Sequence, residues 1–151
     1  MDQSATDAVK HARARLEAAH AHLGEVAQER VDGDRLLWAA RLERSARSLR
    51  RAITEHKDLA ESANGQLAEL LDQKPALAEQ IVAQSHEHVG LAEVADGLAE
   101  SCRTSIAFQD PNVELLQLDA QILTLQVKRH MTWESVLYYE AFFQEEGGEE
   151  G

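Results

Sequence analysis

The feature that most constrains this chain is a set of long stretches in which apolar residues recur at alternating spacings of three and four. One gives Trp38, Leu42, Ala46, Leu49, Ile53, His56, Ala60 and Ala63; another gives Leu77, Ile81, Gln84, His88, Leu91, Ala95, Leu98 and Cys102. Such spacing gathers the residues on one face of a helix, and it is the pattern of bundle helices. Both series place a histidine on the apolar seam.

Composition agrees with helices. Ala, Leu, Glu, Gln and Arg dominate, and these lose little side-chain freedom in a helix. β-branched residues are sparse, which argues against a sheet. At 151 residues, with 44% apolar, the chain is long enough for one domain with a substantial core.

Turn signals divide the chain into four long helices. The first runs from about Ser4 or Thr6, where capping oxygens are available, to Arg30. VDGD at 31–34 is a turn in which Asp32 or Asp34 can cap the second helix, which reaches about Ala63. Asn64-Gly65 is a breaker, because both residues tolerate positive φ. A short helical piece, QLAELLDQ, follows. Pro75 then suits the first turn of the third helix, which ends near Cys102. RTSIAFQDPN reads as irregular, Asp110-Pro111 opens the fourth helix, and that helix ends near Gln144. The expectation is an all-α, antiparallel up-down four-helix bundle over residues 1–144, with an acidic disordered tail over 145–151.

The first helix carries a seam of Val9, Ala12, Leu16, His20, Leu23 and Ala27, with Ala19 competing for the position of His20. The fourth is apolar on much of its circumference. One series is Leu116, Ala120, Leu123, Val127, His130, Glu134, Leu137 and Ala141. The other is Leu115, Leu118, Ile122, Leu125, Arg129, Thr132, Val136, Tyr139 and Phe143. Both cannot face the centre equally, so one face is free for a neighbour or a second subunit. Trp133, Tyr138, Tyr139, Phe142 and Phe143 gather near the end of this helix and are expected to close one end of the core, with a dimer interface as the alternative.

Charge and cysteine usage narrow the function classes. A formal net charge of -12 argues against a phosphate-backbone binder, so no nucleic acid is expected. Arg35, Arg41, Arg44, Arg47, Arg50 and Arg51 read as a solvated helix face, with an anion or acidic-partner patch as the rival. Cys102 is the single cysteine, so no intramolecular disulfide forms; this fits a reducing cytoplasm. No apolar run approaches the roughly 20 residues of a membrane span, and MDQSATDAVK lacks a signal-peptide pattern, so no membrane partner is expected.

Inward histidines and carboxylates on facing helices can assemble a metal site. His130 and Glu134 lie four apart and share a face. Imidazole suits iron, zinc, copper or nickel, and an added carboxylate suits iron or manganese. The candidate ligands are His20, His56, His88, His130 and Glu134. Helix rise sets their heights. With helix ends taken as level, His56 and His88 differ by about 9 Å, His88 and His130 by about 6 Å, and His20 and His56 by about 18 Å.

At this point the order of elements resembles bacterial hemerythrin-like proteins, the group with an HHE-type cation-binding domain. The carrying segments are LEAAHAHL, RRAITEHKDLAE, LLDQKPALAEQIVAQSHEHVGLAEVADGL and VKRHMTWESVLYYEAF, together covering most of the chain. The resemblance implies a four-helix bundle holding two irons on five histidines and two bridging carboxylates, with oxygen carriage or sensing as the activity. Several of those positions differ here. His56 is followed four residues later by Ala60, with Glu61 one place farther. His88 is followed by Ala92 and His86 by Gly90. His130 is followed by Ser135, with Glu134 adjacent, and His20 matches on the first helix.

The expectation is therefore a hemerythrin-like protein with an altered or lost di-iron site. It would bind iron or another transition metal in a non-standard way and act in oxygen or redox sensing. The alternative is a metal-free structural or interaction bundle, homodimeric or partner-bound through the fourth helix, its histidines hydrogen-bonded in the core. An enzyme ranks behind both, and no catalytic residue is assigned. A His-phosphotransfer role is disfavoured, because TEHKDLAE lacks the glycine after the lysine and His56 lies on the buried seam.

Overall fold

The computed structural model describes residues 3–62 and 65–139. The described residues are all-helical: α1 Gln3–Gln28, α2 Arg35–Ala60, α3 Gln66–Gln73, α4 Ala78–Ala107 and α5 Val113–Tyr139, with a 3-10 turn at Pro75–Leu77 before α4. The sequence-predicted third and fourth helices are α4 and α5. The end near Gln144, the tail, Ala63, Asn64, Ala141, Phe142 and Phe143 lie outside the described residues.

Each long helix packs on two others: α1 on α2 and α5, and α4 on α2 and α5. Cross-links show opposed directions. His22 meets Ser45 while Arg15 meets Glu55 farther back along α1. Gln117 Nε2 donates to the Glu29 carbonyl at one end of the α1–α5 pair, and Arg13 reaches Ser135 near the other. Trp38 Nε1 donates to the Val26 carbonyl at 3.0 Å, so a large ring is buried without an orphaned donor.

The helix ends follow local chemistry. Asp34, not Asp32, caps α2 by accepting from the Leu37 N–H at 3.1 Å. Asn112 Oδ1 does the same for Leu115 of α5 at 3.2 Å. Gly65 has φ -87, so positive φ is not why glycine stands there. A Cβ at this position would press on the carbonyl oxygens of Leu59 and Ala60, the latter 2.8 Å away. Close backbone approach is what requires the glycine.

The end of α4 departs from the sequence reading. The helix continues past Cys102 through Arg103–Ala107 and stops in a Schellman motif. The Asp110 N–H donates to the Ser105 carbonyl at 3.1 Å and the Gln109 N–H to the Ile106 carbonyl at 3.0 Å. Gln109 takes φ 54. A glutamine fills a position that usually holds glycine, so the stop signal was missing from the sequence.

Two apolar clusters form the interior. The larger runs through Leu16, Leu23, Trp38, Leu42, Leu49, Leu91, Leu98, Leu123 and Val127. The smaller, toward the α3 end, joins Ala60, Leu67, Leu70, Ile81 and Leu137, with Tyr138 against it. On α5 the buried series is Leu116, Ala120, Leu123, Val127, His130, Glu134 and Leu137. The other faces outward: Leu115, Leu118, Ile122, Leu125 and Val136 are exposed. Trp133 is also exposed, at 56%, so it does not close the core; Tyr138 contributes to that role. Several arginines of α2 are paired as a solvated face requires, Arg41 with Glu29, Arg47 with Glu43 and Arg50 with Asp96. Among the described residues no helix is long and apolar enough to cross a membrane.

Two outcomes test these assignments. Gln109→Gly relieves the left-handed backbone and should raise unfolding free energy by about 1 kcal/mol in urea melts. Burial, helped by the Glu43 charge, pushes the Cys102 thiol up to about 12. Native protein at pH 8 should therefore resist iodoacetamide, and urea-unfolded protein should react fully.

Candidate metal centre

A polar layer separates the two apolar clusters. His56 from α2, His88 from α4, and His130 and Glu134 from α5 fill it, and all four are buried. Their donor atoms lie within 4.8 Å of one another. His56 stands one turn from Ala60 of the smaller cluster and next along the seam from Ile53 of the larger, so the hydrophobic period that folds α2 also places its imidazole. The same holds for His88, between Ile81 and Leu91. On α5 the four-residue step from His130 to Glu134 stacks imidazole and carboxylate on one face.

The geometry converges on one atom. His56 Nε2 hydrogen-bonds Glu134 Oε2 at 3.0 Å. His88 Nε2 lies 3.4 Å from the same oxygen and His130 Nε2 3.2 Å from it. Neither of these last two nitrogens has a hydrogen-bond partner. The three rings are mutually edge-on, with centroids 4.6 Å apart for His88 and His130 and 5.2 Å for His56 and His88.

The far side of two rings carries carboxylates. His88 Nδ1 donates to Glu61 Oε2 at 3.2 Å, and Glu61 also accepts from Ser85 Oγ. His130 Nδ1 lies 3.1 Å from Glu87 Oε1. A neutral imidazole has one N–H. With that proton on Nδ1 of His88, its Nε2 presents a bare lone pair toward the oxygen of Glu134. Two lone pairs facing each other across a buried gap repel unless a proton or a metal cation stands between them. A carboxylate behind a histidine that points its other nitrogen inward is also the arrangement that orients metal-ligating imidazoles. The residues present therefore fit a metal ion.

Burial works to raise the Glu134 pKa, but contacts from His130, His56 and His88 outweigh it and hold the carboxyl well below the usual carboxylate range. Burial likewise opposes ionisation of Glu61, and Ser85 and His88 more than offset it. Tyr138 moves the other way: burial, then the Glu134 charge, raises its phenol. Arg13 of α1 lies with its Nη1 3.2 Å from Glu134 Oε1, the oxygen that His56 Nε2 also approaches at 3.0 Å.

Four of the five sequence-predicted residues thus come together, and His20 does not. Its Nε2 lies 2.8 Å from the Thr124 carbonyl. Thr124 is ten residues before Glu134 on α5, about 15 Å along the axis. The height mismatch excluded His20 for the reason the sequence suggested. His56 and His88 meet despite their apparent 9 Å offset, because helix ends are not level: α3 and the 3-10 turn pack at the end of α4. Sequence reasoning missed Arg13, Glu61 and Glu87 as neighbours of the cluster. By spacing, Glu61 is a near-miss partner of His56 on its own helix, whereas in the structure it caps α2 and turns toward α4.

No family model, curated protein or solved structure matches this chain.

Proposed function

We propose that this chain is a metal-binding four-helix bundle of the hemerythrin-like, up-down type, in which His56, His88, His130 and Glu134 hold one transition-metal ion in place of a di-iron pair. The observation that carries the reading is the pair of orphaned Nε2 atoms, on His88 and His130, aimed at the oxygen that His56 also meets. Separations of 3.0, 3.4 and 3.2 Å between oxygen and nitrogens resemble the ligand–ligand edges of a metal polyhedron. For four ligands at about 2.1 Å from an ion, that edge is about 3.4 Å.

Three imidazoles and one carboxylate suit zinc, iron or manganese. When bound, such an ion would supply Lewis acidity or, for iron and manganese, one-electron chemistry. The protein's share is separate from that. Glu61 and Glu87 orient His88 and His130, Glu134 supplies the anionic donor, and the flanking apolar clusters limit access of water. The role that follows is binding, in metal, oxygen or redox handling, with no catalytic residue assigned.

Metal analysis of purified protein after incubation with zinc, iron(II) or manganese(II) should give about one ion per chain. His88→Ala should lose it. Glu61→Gln, which removes only the orienting carboxylate, should bind about 10–100-fold more weakly. Two irons per chain with an oxo-bridged absorption band, or unchanged metal content in His88→Ala, would contradict the assignment.

The outward face of α5 supports a second, compatible reading. Leu115, Leu118, Ile122, Leu125, Trp133 and Val136 lie exposed along one helix, with Leu125 at 67%. The spacing of Leu115, Leu118, Ile122 and Leu125 is that of a coiled-coil seam, and a second copy of the chain offers a matching seam. Light scattering should show a dimer, and Leu118→Glu with Leu125→Glu should give a monomer of unchanged helical content. A wild-type monomer at high concentration would remove this reading and leave the metal site untouched.

A further inference from the structure

Arg13 reaches the cluster from the one long helix that supplies no candidate ligand. Its guanidinium is held at several points: Nη1 lies 3.2 Å from Glu134 Oε1, Nη2 donates to Ser135 Oγ at 2.9 Å and to the Met131 carbonyl at 3.4 Å, and Nε donates to Glu17 at 3.3 Å. Glu134 is thereby divided. Oε2 faces His88 and His130, His56 Nε2 lies 3.0 Å from both oxygens, and the guanidinium meets Oε1.

A carboxylate binds metal in three common ways. It offers one oxygen, it chelates one ion with both, or it bridges two ions with one oxygen each. The last two need Oε1. We propose that Arg13 is a positioning residue that occupies Oε1 and so confines the cluster to a single ion held through one oxygen of Glu134; the proposal rests on the metal reading above.

Three observations carry it. The guanidinium is fixed in place by contacts beyond Glu134, to Ser135 Oγ, the Met131 carbonyl and Glu17, so it stands against Oε1 as a positioned group rather than a loose side chain. A second divalent ion at Oε1 would stand beside that fixed positive charge, in a setting where one partner, Glu134, is only 1% exposed and screening is weak. And among the described residues the cluster takes no ligand from α1, whose best-matching histidine, His20, is bonded to Thr124 in a different layer. The contribution of α1 to the cluster is a charge rather than a ligand. The Arg13 side chain is 30% exposed, so it can be replaced from the outside without opening either apolar cluster.

The test uses the full chain loaded with cobalt(II), whose visible bands are strong in four-coordinate sites and weak in higher-coordinate ones. Wild type should take one cobalt per chain with strong bands. Arg13→Gln should change this in one of two ways: a second cobalt per chain, or one cobalt with weakened bands as Glu134 chelates through both oxygens. Arg13→Lys keeps the charge and should behave as wild type. Circular dichroism on each variant shows whether the helices persist. Arg13→Gln with wild-type stoichiometry and spectrum would overturn the proposal alone, as would a second cobalt in Arg13→Lys. Should Arg13→Gln lose its helices, Arg13→Met offers the same neutral test, and the same two readouts decide it. Failure of wild type to bind cobalt at all would instead remove the metal reading, and this proposal with it.

Discussion

The interior of this protein is organised around one buried carboxylate oxygen. Glu134 Oε2 lies within 3.4 Å of an imidazole nitrogen from each of three side chains, on three different helices. An ionised carboxylate in an apolar interior is costly unless it is paired. Here His56 Nε2 lies 3.0 Å from both oxygens, His88 stands beside Oε2 and Arg13 beside Oε1, so all four long helices are tied to a single side chain. Removing Glu134 would leave three imidazoles and a guanidinium facing one another with no anion between them. A polar layer of this kind favours one register of the helices, because a shift would leave its buried polar groups unpaired.

That layer also explains the division of the core. Apolar packing alone would favour one continuous cluster. Instead, the four polar residues stand between the Leu42–Leu123 side and the Leu70–Leu137 side. The Nε2 atoms of His88 and His130 lie buried without a hydrogen-bond partner, and a carboxylate stands near the outer nitrogen of each ring. Hydrogen bonding within the cluster does not satisfy it. On the proposed reading a metal cation does, and three imidazoles with a carboxylate are donors that transition metals take. The seam positions of the ligands show how little the fold needs to change to carry such a site: each histidine occupies a position where a leucine would equally well continue the stripe.

Much of this was legible in the sequence because helix periodicity and side-chain face are local properties. The seams of α2 and α4 predicted His56 and His88 as inward, and the structure buries both. On α5 the sequence offered two faces, and the structure selects the one with His130 and Glu134. What the sequence did not reveal depends on level rather than face. Where α3 inserts, helix ends cease to be aligned, so the offset between His56 and His88 could not be read from residue counts. Glu87 is adjacent to His88 in the chain yet serves His130, because one residue along a helix turns a side chain about 100° toward the next neighbour. Arg13 follows Ala12 of the first seam and sits beside it, a place where a charged residue ordinarily signals solvent. The overrun of α4 beyond Cys102 was hidden by a glutamine in a glycine position.

The central claim is that three imidazoles and one carboxylate oxygen surround one ion. X-ray absorption at the metal edge, on protein loaded with one equivalent of zinc or iron(II), tests it most directly. The account predicts a first shell of nitrogen and oxygen at about 2.0–2.2 Å with imidazole scattering and no neighbouring metal. A metal–metal distance near 3.5–4 Å, or a shell of water oxygens without imidazole, would contradict it.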